Sequence, residues 1–205
     1  MRRVDFGTWV FAYGSLMAPA EAARTLGRVP EARPALVEGL ARAWMVGTAG
    51  RAYGCEACGG RLPVAVVLGC VAEPGARTQG VVLRVSAEER GLLDRREASY
   101  APRALDPAAV HARPPLPPGA RVIVYEPLAA RRADAARPGA AVPDVYARTA
   151  SAALRARWGP DAPLVTASGA GRAPLRTGLR FAGPDPSARV PDCRCTHTAP
   201  PPGDP

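Results

Sequence analysis

Apolar and polar positions fall along this chain in blocks that separate into strands and helices. The run from Trp9 to Leu16 is apolar until Tyr13-Gly14-Ser15 breaks it, the pattern of a strand that enters a core and leaves through a tight loop. Pro19 to Leu26 predicts a helix: Pro opens it, Ala22, Ala23 and Leu26 share a face, and Gly27 stops it. Val37 to Val46 predicts a second strand interrupted by Gly39 and Arg42, and Thr48 to Gly60 a glycine-rich loop. Leu62 to Val71 carries no charge, which predicts a buried central strand. Glu73-Pro74-Gly75-Ala76 then signals a turn, and Gln79 to Val85 returns as its antiparallel partner. Ser86-Ala87-Glu88-Glu89 is a capping box opening a helix from Ala87 to about Arg96, with Leu92 and Leu93 turned inward.

The second half is less regular. Five prolines between Pro107 and Pro118 predict an irregular connection, Ala120 to Glu126 a short strand, and the Arg- and Ala-rich stretch Leu128 to Ala141 an exposed insertion. Asp144 to Trp158 reads as a helix burying Val145, Tyr146, Thr149, Ala153 and Leu154, ended by Gly159-Pro160. Residues 1–182 are therefore expected to form one domain, with 183–205 a disordered tail rich in Pro, Gly, Asp and Ser.

Composition narrows the function classes. Of 205 residues 47% are hydrophobic, enough for a real core, and the net charge of +9 comes from 27 basic residues that are all Arg. These arginines are scattered, without the clustered stripe and interleaved aromatics of a nucleic-acid binder, so no nucleic-acid partner is expected. A positive field still favours an acidic small ligand. No stretch approaches the roughly 18 uninterrupted apolar residues of a membrane span, and Asp5 interrupts any secretory h-region, so a cytoplasmic protein without a membrane partner is expected. Oligomeric state is left open.

Two cysteine groups carry possible metal chemistry. Cys55-x-x-Cys58 between glycines and Cys193-x-Cys195-x-His197 would together supply enough ligands for a zinc site, against the simpler reading of unpaired cytosolic thiols. Cys70 lies in the apolar strand and is expected to be packed. His111 has no acid or nucleophile near it, and no Gly-x-Ser-x-Gly elbow is present.

The loop at Tyr13 has two readings on its own residues: an ordinary turn after a first strand, or a backbone cradle for an anion. Glycine serves either, because it takes positive φ and lacks a Cβ. Tyr13-Gly14-Ser15-Leu16 after the first strand, the strand from Gly80, and the segment Leu93-Asp94-Arg95-Arg96-Glu97-Ala98-Ser99-Tyr100 closing a helix together resemble the γ-glutamylcyclotransferase-like family, over about Trp9 to Leu154. The resemblance implies an α+β fold, a small mixed β-barrel with flanking helices. It also implies an enzyme that cleaves a γ-glutamyl amide through attack by its own α-amine, releasing 5-oxoproline and a free amine. No cofactor and no metal are implied, and the partner is a small γ-glutamyl substrate. By position, Glu97 would be the proton shuttle. Tyr13, Gly14, Ser15 and Leu16 would hold the substrate, with Tyr100 and Tyr146 as further substrate contacts. Ala18-Pro19 follows Met17 where glutathione-specific members carry Trp, so the resemblance is closer to the γ-glutamylamine branch. The alternative is a non-catalytic small-ligand-binding module on the same fold, reshaped by the proline-rich segment and the Cys pair.

Overall fold

The computed structural model describes residues 7–48, 53–55, 58, 60, 62, 64–137 and 140–167, and in backbone only 52, 175–176 and 179–183. It is a mixed α+β fold. Ten strands, β1 (Thr8–Ala12), β2 (Ala32–Thr48), β3 (Ala52–Cys55), β4 (Val64–Val85), β5 (Tyr100–Ala104), β6 (Val110–Ala112), β7 (Arg121–Pro127), β8 (Ala140–Pro143), β9 (Leu175–Arg176) and β10 (Leu179–Gly183), accompany four α-helices: α1 (Pro19–Leu26), α2 (Ala87–Arg96), α3 (Ala129–Ala135) and α4 (Asp144–Trp158). The main sheet runs β5-β7-β1-β4-β2-β6, with β8 added on β4. No ladder joins β5 to β6 among the described residues, so the expected barrel is open rather than closed.

The three helices with local signals form where those signals place them. In α2 the Ser86 hydroxyl accepts from the Glu89 amide while Glu89 reaches back to the Ser86 amide at 2.8 Å, and Arg28 from the end of α1 clamps the same carboxylate at 2.5 and 2.7 Å. The Arg28 hydrogen bond, more than the Ser86 amide, holds the Glu89 carboxyl below its ordinary value. Because that value is depressed in the folded chain, its stabilisation is present above the ordinary carboxylate range and is lost as pH falls through the folded value. Ser86→Ala is expected to cost about 1 kcal/mol in urea denaturation at neutral pH. Glu89→Gln should also destabilise at neutral pH, and its difference from the native chain should vanish in strong acid.

Three expectations are corrected. Leu62–Val71 and Gln79–Val85 do not form a hairpin: both belong to β4, which pairs with β2 in one direction along its length, from Ala32↔Leu83 to Thr48↔Ala65. The Glu73-Pro74-Gly75-Ala76 signal is a bulge between the Glu38↔Arg77 and Leu40↔Ala72 pairs, and Gly75 (φ +80°) and Gly39 (φ +72°) supply the left-handed backbone on the two strands. The stretch 128–141 is exposed along α3, none of whose residues is buried, but it is a packed element rather than a loose insertion. Its helix α3 lies on β2 at Gly47, where a Cβ would sit 2.6 Å from that of Asp134, and β8 beyond it is buried. The 48–60 loop holds a strand, because β3 pairs with β10 from far along the chain. Residues 184–205, and with them Cys193, Cys195 and His197, lie outside the described residues. No helix among the described residues is long and apolar enough to cross a membrane.

Candidate active site

β1 sits between β4 (antiparallel) and β7 (parallel), so Trp9, Val10 and Phe11 are each 1% exposed and the strand leaves the core as fixed as any element in the chain. Beyond it, Ser15–Met17 forms a single 3-10 turn closed by the Met17 amide on the Gly14 carbonyl at 3.0 Å. Gly14 has φ −123° and ψ −142°, so the expected need for positive φ does not hold here. What it needs is space: a Cβ would lie 2.7 Å from the Tyr146 hydroxyl oxygen. Tyr146 arrives from the first turn of α4, whose Ala150, Ala153 and Leu154 are buried.

Glu97 caps the C-terminus of α2, its amide on the Leu93 carbonyl at 2.8 Å. Its side chain is 12% exposed and lines the same pocket as Gly14, Ser15 and Leu16. It is not a solvated helix-end acid. Arg96 is nevertheless its partner, Nε 3.1 Å from Glu97 Oε1, and the same guanidinium donates to Ser15 Oγ at 3.2 Å and to Thr25 of α1. One arginine thus ties the turn after β1 to the end of α2.

Tyr13, Tyr100 and Tyr146 complete the pocket together with Leu68 of β4 and Tyr125 of β7. All seven residues named from the sequence therefore line one cavity. Two of the phenols donate within the protein: Tyr13 gives its hydrogen to the Tyr125 carbonyl at 2.6 Å and Tyr100 to the Leu68 carbonyl at 2.8 Å. Having spent that hydrogen, each oxygen has only lone pairs left to offer. Burial, reinforced by Tyr100, Cys70 and Glu97, raises the Tyr13 phenol well above its ordinary value, so it stays protonated.

Two contributors went unnoticed in the sequence. Tyr125 donates to Asp94 at 2.6 Å and accepts from Arg90 Nε at 3.1 Å, which explains why an Asp follows Leu93 in a half-buried helix end. Arg42, seen only as an interruption of a strand, is fully buried behind the loop and donates to the Tyr13 carbonyl at 3.1 Å. Among the described residues no group of three or more His, Cys, Asp or Glu is placed to hold a metal. Cys55 is buried and Cys58 exposed, and their proposed partners fall outside the described residues. Cys70 is buried in β4, where desolvation pushes its thiol far up and leaves it unreactive. His111 is on β6 near Glu38, away from the pocket.

Residues 10–132, more than half of the chain, match the family described as gamma-glutamyl cyclotransferase, AIG2-like. The chain belongs to that family. No curated protein matches it. Among solved structures, this cyclotransferase-family chain is similar to YkqA from Bacillus subtilis, at 17% identity and TM-score 0.51, over 76% of this chain and 51% of that one. A protein of Arabidopsis thaliana is 23% identical with TM-score 0.39, over 58% of this chain and 61% of its own. A yeast gamma-glutamyl cyclotransferase specific to glutathione is 19% identical with TM-score 0.42, over 59% and 69%. The chain thus spans about half the length of YkqA and three fifths of the Arabidopsis protein. The YkqA likeness is one of fold, and membership of the family rests on the match over residues 10–132.

Proposed function

We propose that the protein cleaves a γ-glutamyl amide by cyclisation, with Glu97 as proton shuttle. The observation that carries this reading is the enclosure of the Glu97 carboxylate in one pocket with the Gly14-Ser15-Leu16 turn. In the proposed reaction the substrate's α-ammonium gives a proton to Glu97. The freed amine attacks the γ-carbonyl and closes a five-membered ring. The ring nitrogen gives up its second hydrogen and the carbon to nitrogen bond to the leaving amine breaks, Glu97 passing both protons in turn to that nitrogen, which departs as an ammonium. Atoms balance without an external nucleophile, and holding the amine against the carbonyl supplies much of the rate.

The amides of Gly14, Ser15 and Leu16 would take the substrate's negative charge, while the lone pairs of Tyr13 and Tyr100 suit its ammonium. The substrate class proposed is a γ-glutamylamine rather than glutathione, on the Ala18-Pro19 sequence after Met17. Incubating the protein with γ-glutamylamines, γ-glutamyl dipeptides and glutathione and measuring 5-oxoproline tests it: release from the first group is expected, and preferred release from glutathione would reverse the branch.

One observation favours the non-catalytic alternative. Arg96 Nε donates to Glu97 Oε1 at 3.1 Å, so the amine would share that carboxylate with a guanidinium. Binding of a γ-glutamylamine without any 5-oxoproline would decide for that alternative.

A further inference from the structure

Arg42 is 0% exposed, and among the described residues no carboxylate pairs with it. Its guanidinium is instead solvated by backbone: Nε donates to the Leu164 carbonyl at 2.6 Å, Nη2 to Pro163 at 2.6 Å, and Nη1 to Gln79 at 2.8 Å and Tyr13 at 3.1 Å. Carbonyls satisfy the donors but leave the positive charge uncompensated, and burying a charge in this way is costly. A neutral donor would bridge the same strands without that cost. The charge itself therefore calls for an explanation, and desolvation already lowers its proton affinity.

Geometry relates the charge to the pocket. In a trans peptide the N–H points opposite to the C=O. Holding the Tyr13 carbonyl thus fixes the Tyr13–Gly14 peptide with its N–H turned away from Arg42, at a residue that lines the cavity. Carbonyl oxygen and amide nitrogen of one peptide are roughly 2.3 Å apart. A group accepting from the Gly14 N–H would therefore sit on the order of 8 Å from the guanidinium, with protein and not water between.

We infer that Arg42 is a positioning and charge-selecting residue: it sets the Gly14 amide toward the ligand and makes the pocket prefer an anionic group over its neutral isostere. The inference rests on reading this pocket as the γ-glutamyl site. At an interior effective dielectric constant a unit charge at that distance is worth on the order of tenfold in affinity.

The test uses 5-oxoproline and its neutral primary amide, with calorimetric titration of the full chain and of Arg42→Lys and Arg42→Gln. The native chain should bind the acid about tenfold better than the amide; Arg42→Lys should keep most of that ratio, and Arg42→Gln should lower it severalfold beyond any loss common to both ligands. A strut without an electrostatic role would lower both ligands together, and an unchanged ratio in Arg42→Gln overturns the inference. Should the Arg42 variants fail to fold, Arg96→Gln in about 0.5 M salt decides, because it removes the other guanidinium at the pocket while salt screens the surface arginines. A preference that survives salt supports the inference; one that collapses, or no preference at all, overturns it. If 5-oxoproline release is absent but the charge-dependent ratio is present, the proposed reaction falls and the role of Arg42 stands. Release with an unchanged ratio gives the reverse.

Discussion

Glu97→Gln is expected to keep the fold and thermal stability of the native chain while lowering 5-oxoproline release by about a thousandfold, within the range general acid–base catalysis supplies. Gln is isosteric and can still accept from Arg96 through its carbonyl oxygen, so the bridge from α2 to Ser15 survives, but it cannot take a proton from an ammonium at neutral pH. Substrate affinity should change far less than turnover, because the lost interaction concerns proton transfer. The informative measurement is the pair kcat and KM on the best substrate of the panel. Turnover within threefold of native would remove Glu97 from the chemistry, and a large rise in KM alone would make it a binding residue.

Gly14→Ala is expected to reduce turnover by roughly a hundredfold, since a misplacement of about 1 Å at a reacting site has that scale. The added Cβ lies 2.7 Å from the Tyr146 hydroxyl oxygen but 3.8 Å from the ring carbon bearing it, so the clash is with one atom. Tyr146→Phe deletes that atom. In the Gly14→Ala background it should restore a large part of the lost turnover, measured against whatever Tyr146→Phe costs on its own. A cycle of the two single variants and the double variant measures the coupling, and equal loss in Gly14→Ala with and without the hydroxyl would place the damage in the backbone instead.

Much of the site was legible because its signals are local. Pro19 and Gly27, the Ser86 box, and Gly159-Pro160 act within a turn of the helices they bound, and those helices form with the expected limits. The tight exit from β1 was equally visible. What the residues could not disclose depends on partners distant along the chain. Glu73-Pro74-Gly75-Ala76 has turn chemistry, and it bulges the chain instead of turning it because β2, far along the sequence, pairs with β4 on both sides of it. Arg42 looked like a break in an apolar strand because its acceptors, at positions 13, 79, 163 and 164, are invisible to a local window. Tyr13 and Tyr100 offered hydroxyls, but which carbonyls would claim them was a question of packing. Glu97 could be joined to the loop eighty positions earlier only through a family resemblance, since a charged residue beside two arginines otherwise reads as surface.

The pairing of β4 on both sides of its bulge bears on how a ligand would get in. This strand pairs with β2 along its length, with β1 at one end and with β8 at the other, and contributes Leu68 to the pocket between them. A fold built as two sheets joined by a flexible crossing could part like a clamshell; one threaded by a common beam has no such hinge. Parting those sheets would break the ladder of β4, so a ligand is expected to enter at the rim, past the turn at Ser15 and the side chains around it.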